Sequence, residues 1–239
     1  MLRLSRNEIE DIAVSVLHDY AIQTAVTERH LPVDIEDFAQ KYLGMRVQYR
    51  RLSDDGSLLG LTTRKDVQVK LTYTDRDVII SVSEDSILID DTLYRKRRGR
   101  FTVAHECAHQ VLTHVEERHT GTSFRKAFKP GKLYSVHELN LVNEWREWQA
   151  NTLGAALLMP RMEIHRRLRG FRPVRFTAYG SRFNPMEYRR IKDLADNFDV
   201  SMSAMTLRLK ELGFIDCKLE SEYYDPRDIF CGVGDGDET

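Results

Sequence analysis

The spacing of hydrophobic residues predicts helices at the start of the chain, strands after them and helices again. Apolar positions recur at helical intervals after Ser5, which has with Glu8 the Ser-x-x-Glu spacing of a capping box. A second helix is predicted over residues 32–44, which begin with proline and end with glycine. Residues 45–89 contain short runs that alternate with a period of two, as half-buried strands do. Helical spacing returns at about Gly99 and continues almost to the C-terminus.

This order of elements predicts an α+β fold, in which a small sheet of three to five strands packs against helices. We expect one domain over residues 1–160 and a helical subdomain, packed on it, over residues 161–215. Within the subdomain, residues 194–209 resemble a helix-turn-helix in which a Val-Ser turn joins two helices. The acidic tail, residues 216–239, is expected to be flexible.

The composition narrows the class of protein. Of the 239 residues, 41% are hydrophobic and 31% are charged, which is typical of a globular chain. No apolar run approaches the roughly 20 residues that cross a bilayer, and the N-terminus lacks the apolar stretch of a signal peptide. The three cysteines are odd in number and far apart, which argues against a disulfide framework. We therefore expect a cytoplasmic protein.

The first candidate chemistry is the sequence His-Glu-Cys-Ala-His at residues 105–109. On a helix, His105 and His109 lie on one face, with about 5–6 Å between their Cβ atoms, so both imidazoles can bind one zinc ion. Glu106 lies about 100° around the helix, where a carboxylate can take a proton from a zinc-bound water. The alternative is a helix with two incidental histidines on a half-buried face.

A catalytic zinc site needs a third protein ligand and one open position. A second long helix, predicted over residues 139–159, carries Glu144, Glu147 and Asn151. Glu147 could bind the metal, and Asn151 could accept a hydrogen bond from the far ring nitrogen of a ligand histidine. The spacing equally allows a solvated Glu147 and an Asn151 without a role. The other histidines of this region are expected to be ordinary polar residues: His114, His119 and His137.

Two segments carry a resemblance to a known family. Residues 100–109 read Arg-Phe-Thr-Val-Ala-His-Glu-Cys-Ala-His, and residues 147–160 read Glu-Trp-Gln-Ala-Asn-Thr-Leu-Gly-Ala-Ala-Leu-Leu-Met-Pro. Together they resemble the paired signature of ImmA/IrrE-type metallo-endopeptidases, and the resemblance extends over roughly residues 5–215. It implies a zincin-like domain whose single zinc ion is held by three ligands, with Glu106 as the catalytic base. The implied ligands are His105, His109 and Glu147.

The sequence departs from the family pattern at two places. A long polar stretch over residues 116–134 looks like an insertion between the two signatures. Gln149 stands where a carboxylate is common, which favours Glu147 as the third ligand and leaves Glu144 in reserve. Cys107 lies inside the motif but points to the side of the helix opposite the histidines, so we expect a small core residue and not a ligand.

Family members of known role cleave helix-turn-helix transcriptional repressors, and the resemblance implies a similar activity here. We expect a zinc-dependent endopeptidase that cleaves such a repressor by Glu-assisted attack of a zinc-bound water. The alternative is a non-catalytic zinc-binding regulator that binds a repressor or DNA. Residues 191–213 carry three bases and four acids, which makes this region a poor phosphate binder. We therefore expect a protein partner, and neither nucleic acid nor a membrane.

Charge is unevenly distributed near the C-terminus. Residues 160–190 have a net charge of +7 and residues 216–239 a net charge of −6. Such runs are usually solvated faces. A basic surface could instead attract acidic substrate segments or the protein's own tail.

Overall fold

The computed structural model describes residues 4–24, 31–112, 122–126, 142–169 and 175–223, and the fold is mixed α+β as predicted. The helices in these ranges are α1 (Arg6–Gln23), α2 (Ile35–Asp37), α3 (Arg97–Val111), α4 (Val142–Leu158), α5 (Arg161–Leu168), α6 (Pro185–Asn197) and α7 (Met202–Glu211). The strands are β1 (Arg46–Tyr49), β2 (Leu58–Thr63), β3 (Val67–Thr72), β4 (Asp77–Val82), β5 (Ser86–Ile89), β6 (Thr122–Lys126), β7 (Phe176–Tyr179) and β8 (Ile215–Lys218).

The two N-terminal helices form where the sequence predicts them. The capping box of α1 is present, since the Ser5 amide donates to the Glu8 carboxylate at 2.7 Å and the Glu8 amide donates to the Ser5 hydroxyl. The second helix begins at the cap residue Asp34 and continues from α2 into a π-helix, Phe38–Tyr42. It ends before Gly44, whose φ of +67° is one that glycine adopts readily.

The main sheet has the strand order β1-β5-β2-β6, and β3 and β4 form a separate antiparallel pair. Strands β1 and β5 are parallel, whereas β2 runs antiparallel to both of its neighbours. Strands β1, β3 and β4 form where the alternation of apolar and polar residues predicts them. Strand β2 was not predicted, because residues 59–63 are all buried and therefore show no alternation of apolar and polar positions.

The expectation that the chain is helical from Gly99 almost to the C-terminus is wrong, because three strands lie in this region. Besides β6, strands β7 and β8 pair in parallel, with Phe176 opposite Ile215. Strand β8 takes in residues 216–218, so the first part of the predicted tail is a strand, and a short 3-10 turn follows over Glu220–Glu222. Residues 224–239 of the tail lie outside the described ranges.

The start of the tail contacts the basic stretch. Arg175 pairs with Asp216 at 3.1 Å, and Arg182 pairs with Glu220 at 3.0 Å, with all four side chains exposed. The division of the chain into residues 1–160, 161–215 and 216–239 stays a prediction. One cluster of buried side chains runs from Ile9 in α1 to Ile215 in β8.

Helix α4 lies between α1 and α3, and its C-terminal end is held by a buried ion pair. The guanidinium of Arg208 in α7 donates to both carboxylate oxygens of Glu10 in α1 and, at 3.1 Å, to the carbonyl oxygen of Met159. Arg208 is 1% exposed and Glu10 is 2% exposed. We call these three residues the Arg208 clamp. No helix within the described ranges is long and apolar enough to cross a membrane.

Candidate metal centre

Helix α3 carries the candidate site and is fully enclosed along residues 102–109. One side packs on β2 and β5, and another packs along α4. The approach of α4 depends on Gly154, where an added Cβ atom would lie 3.1 Å from the backbone nitrogen of His105. A glycine inside a helix costs about 1 kcal/mol relative to alanine, so its presence there indicates close helix packing.

The structure brings His105, His109 and Glu147 together. The Nε2 atoms of the two histidines are 3.0 Å apart. Glu147 places one carboxylate oxygen 3.2 Å from Nε2 of His105 and the other 3.5 Å from Nε2 of His109. Both histidines are fully buried, while the Glu147 side chain is 31% exposed. The three residues thus form a group that could hold a metal ion and that opens to solvent at the carboxylate.

The distances fit a tetrahedral ion. Ligand atoms around a zinc ion with bonds of 2.0–2.1 Å lie about 3.3 Å from one another. The shortest separations between the three side chains, with one Glu147 oxygen facing each histidine, are 3.0, 3.2 and 3.5 Å. Two imidazoles and one carboxylate are also the ligand set of several catalytic zinc sites.

Asn151 orients one of the imidazoles. Its Oδ1 atom lies 3.0 Å from Nδ1 of His105, one turn of α4 beyond Glu147. Because an amide oxygen can only accept, Nδ1 is the donor, and in the neutral ring Nε2 then presents its lone pair toward Glu147. A cation placed between a lone pair and a carboxylate stabilises both, so this tautomer also fits a metal ion.

Glu147 is ionised in this setting. Burial raises the pKa of Glu147, but hydrogen bonds and charges from the imidazolium forms of His105 and His109 outweigh it and hold the pKa well below its ordinary value. With a metal ion bound, the ion would take the place of the imidazolium protons that face the carboxylate. A carboxylate that stays deprotonated at neutral pH is available as a ligand.

Glu106 lies on a different side of α3, fully buried and against β2. An ideal Cβ atom on Gly60 of β2 would be 2.7 Å from Oε1 of Glu106, so the strand backbone passes directly over this carboxylate. The helix therefore directs its histidines to α4 and its glutamate to the sheet. Gly60 and Gly154 were not singled out from the sequence, although a glycine inside an apolar run is a known sign of close backbone approach.

Other residues of the sequence analysis fall outside this group. Cys107 is fully buried in the core, as predicted, and burial raises the pKa of its thiol, which keeps the thiol protonated. The side chain of Glu144 is not among those described, so its role as reserve ligand has no structural test. The same holds for His114, His119 and His137 and for most of residues 116–134, of which only β6 is described.

The helix-turn-helix-like pair is α6 and α7, and several charged residues of this region pair with other parts of the chain. Asp196 and Asp199 pair with Arg97 at 2.8 and 3.1 Å, and Asp199 also pairs with Arg100. Arg208, one of three bases counted in this region, is buried in the clamp and cannot reach a phosphate.

Comparison with known proteins identifies the family. No curated protein matches the chain at a significant level. The family model described as Peptidase_M78, IrrE N-terminal-like domain, matches residues 40–210. The matched region contains α3, α4 and all three residues of the candidate metal group. Because the match spans well over half of the sequence, the chain belongs to this metallopeptidase family.

Proposed function

We propose that this protein is a zinc-dependent endopeptidase whose zinc ligands are His105, His109 and Glu147. The observation that carries the proposal is the convergence of two buried imidazoles and a carboxylate, from two different helices, within 3.5 Å of one another. Membership of the M78 peptidase family supports hydrolysis as the reaction.

A bound zinc ion would polarise the scissile carbonyl group and make water a better nucleophile at neutral pH. Glu106 is the proposed general base, which takes a proton from the attacking water and passes it to the leaving amine. Glu106 contacts β2 and is not one of the three converging side chains, so its proposed role is proton transfer and not metal binding. Asn151 would keep His105 in the tautomer that binds metal.

The proposed substrate is a protein, and a helix-turn-helix transcriptional repressor is the first candidate. This choice rests on the resemblance to ImmA/IrrE-type peptidases, with a cytoplasmic location implied by the scattered cysteines. A protein substrate also agrees with the exposed arginines of the basic stretch, of which Arg175 and Arg182 already contact acidic side chains of this chain.

The second candidate function is a zinc-binding regulator that acts by binding a repressor. DNA binding through α6 and α7 is disfavoured by the buried Arg208 and by the acidic pairs of Asp196 and Asp199. The remaining alternative to a peptidase is a protein that binds a repressor without cleaving it, and an experiment must distinguish these two functions.

Replacing the proposed base separates the two functions. Glu106→Gln keeps the size of the side chain but cannot accept a proton, so we expect unchanged zinc content and a loss of cleavage of about 10²-fold or more. Wild type and variant would be incubated with the repressor encoded by a neighbouring gene, followed by intact-mass analysis and a pull-down. Glu163→Gln is the matched control, since it makes the same change at a buried glutamate paired with Arg166 in α5.

Cleavage by wild type and by the Glu163→Gln control, with binding but no cleavage by Glu106→Gln, supports the peptidase. If wild type binds the repressor and releases it from DNA without cutting it, the protein acts by sequestration. The zinc group would then have a structural role.

A further inference from the structure

Gly60 lies in the interior of the sheet, at a position where glycine normally weakens a strand. In β2 it pairs with Ile89 of β5 on one side and with Arg125 of β6 on the other. Its φ is not in the left-handed region, unlike Gly44 and Gly56, so conformational freedom does not explain a glycine here. The requirement is for space.

Two side chains of α3 occupy that space. A Cβ atom on Gly60 would lie 2.9 Å from Cγ2 of Thr102, 2.7 Å from Oε1 of Glu106 and 3.2 Å from Cδ of Glu106. Thr102 and Glu106 are four residues apart and therefore share one face of the helix. Both are 0% exposed, so neither can turn outward to solvent without moving the helix.

The Thr102 side chain is fixed in its orientation. Its hydroxyl donates to the carbonyl oxygen of Arg98 at 3.0 Å, and this bond determines where the Cγ2 methyl points. The Thr102 methyl group and the Glu106 carboxylate therefore both lie where a side chain on Gly60 would extend. The Glu106 carboxylate is in this way packed against the Gly60 backbone. The pairing of β2 with β6 shifts register between Leu58 and Gly60, next to this contact.

We propose that Gly60 is a positioning residue for Glu106. The missing side chain lets the β2 backbone lie against the carboxylate and hold it in one place, on the side of Gly60 where the Thr102 methyl group also lies. The proposal rests on the proposed function, because Glu106 is the base of that reaction. The cost of misplacing a catalytic group by about 1 Å is of order 10²-fold in rate, so a small displacement is enough to measure.

The experiment adds one methyl group with Gly60→Ala. We expect kcat to fall at least tenfold, with KM and zinc content within about twofold of wild type, assayed well below the unfolding transition. In crystals of the zinc-loaded variant, the carboxylate of Glu106 should move until its contact with the added methyl reaches the ordinary range of 3.4–4 Å, while His105, His109 and Glu147 stay in place.

Two further variants separate positioning from general disruption. Gly60→Ala/Thr102→Ser removes the Cγ2 methyl but keeps the hydroxyl for Arg98, so kcat should recover in part. Gly154→Ala is the matched control on the other side of α3, where the added methyl meets the backbone of His105. It should lower zinc affinity, which Gly60→Ala should not.

An unmoved Glu106 carboxylate in Gly60→Ala, or a loss of zinc equal to its loss of activity, overturns the proposal. If wild type cleaves no substrate, the proposed function fails, and the position of the carboxylate in the two crystal structures still decides the role of Gly60.

Discussion

Helix α4 connects two buried polar clusters that differ in kind. Near its N-terminal half, Glu147 and Asn151 meet the histidines of α3, and just beyond its C-terminal end the Met159 carbonyl belongs to the Arg208 clamp. In the clamp, one guanidinium lies between a carboxylate and a carbonyl, so the positive charge of Arg208 is balanced by the negative charge of Glu10. In the candidate metal centre, three side chains that could bind a metal ion point toward one another.

Solvent access differs in the same way. The side chains of Arg208 and Glu10 are 0% and 3% exposed, whereas Glu147 is 31% exposed. A closed, charge-balanced cluster is suited to fixing three helices relative to one another. A cluster of ligands that opens to solvent is suited to binding an ion and a substrate. Burial of charge alone therefore does not distinguish a functional site from a structural one.

The largest expected effect is at the candidate metal centre. His109→Ala removes one of the two buried imidazoles proposed as ligands, so zinc binding should be lost and cleavage should fall by at least about 10²-fold. Glu147→Ala should weaken zinc binding at least about tenfold. Metal analysis after dialysis measures both effects. Glu144→Ala, on the same helix, is the control, and loss of zinc in that variant would show that the third ligand is misassigned.

The next effect concerns the clamp and should appear in stability. Arg208→Met leaves the buried Glu10 carboxylate without its counter-charge, which is expected to lower the free energy of unfolding by about 3–5 kcal/mol. Zinc content per folded molecule should stay at the wild-type level. Chemical denaturation and metal analysis on the same samples measure the two quantities.

A double substitution tests whether the clamp serves stability alone. In Glu10→Leu/Arg208→Met both charges are removed, so most of the lost stability should return. A double variant as unstable as Arg208→Met would mean that the Met159 carbonyl, and not the ion pair, is the important partner of Arg208.

The smallest effect is a difference in pH dependence between the two clusters. Burial raises the pKa of Glu211, which lies beside the clamp, and the charge of Glu10 raises it further against the opposing effects of Arg6 and Arg208. A raised pKa in the folded state favours folding below the unfolded value of about 4.5, and that contribution is lost as pH rises through the folded pKa. For Glu147 the pKa is lowered, so its contribution is present above about 4.5 and is lost as pH falls.

Glu211→Gln should therefore raise the free energy of unfolding by about 0.5 kcal/mol at pH 7 and leave it unchanged near pH 4. Denaturation curves of the zinc-free protein at the two pH values measure this. An equal gain at both pH values would show that ionisation of Glu211 is not the cause. Glu147→Gln is the comparison variant and should destabilise the zinc-free protein only at the higher pH.

The parts of the molecule that were predictable depend on local spacing. The His105 and His109 pair, the capping box of Ser5 and Glu8, and the alternation in β3 each follow from residues a few positions apart. Local spacing also brought Glu147 and Asn151 to one flank of a helix, although the resemblance to a peptidase family was needed to prefer Glu147 as a ligand.

The features that the sequence analysis missed depend on distant contacts. Arg208 is one of three bases that the sequence analysis counts in residues 191–213, but its partner Glu10 is 198 residues away, and no local pattern marks the pair. The contact between Gly60 and Glu106 likewise joins a strand and a helix that are far apart in sequence. Residues 216–218 belong to the acidic tail in the sequence analysis because the segment 216–239 has a net charge of −6, and only pairing with β7 makes them part of a strand.

Within the candidate metal centre, His109 of α3 and Glu147 of α4 are separated in the chain by 37 residues, 110–146. An ion held by both residues would therefore act as a removable cross-link that closes a loop, and its binding free energy would add to the stability of the folded chain. Each doubling of such a loop adds only about 0.6 kcal/mol to the cost of closing it. Insertions and deletions between α3 and α4 should therefore change the affinity of a cross-linking ion little.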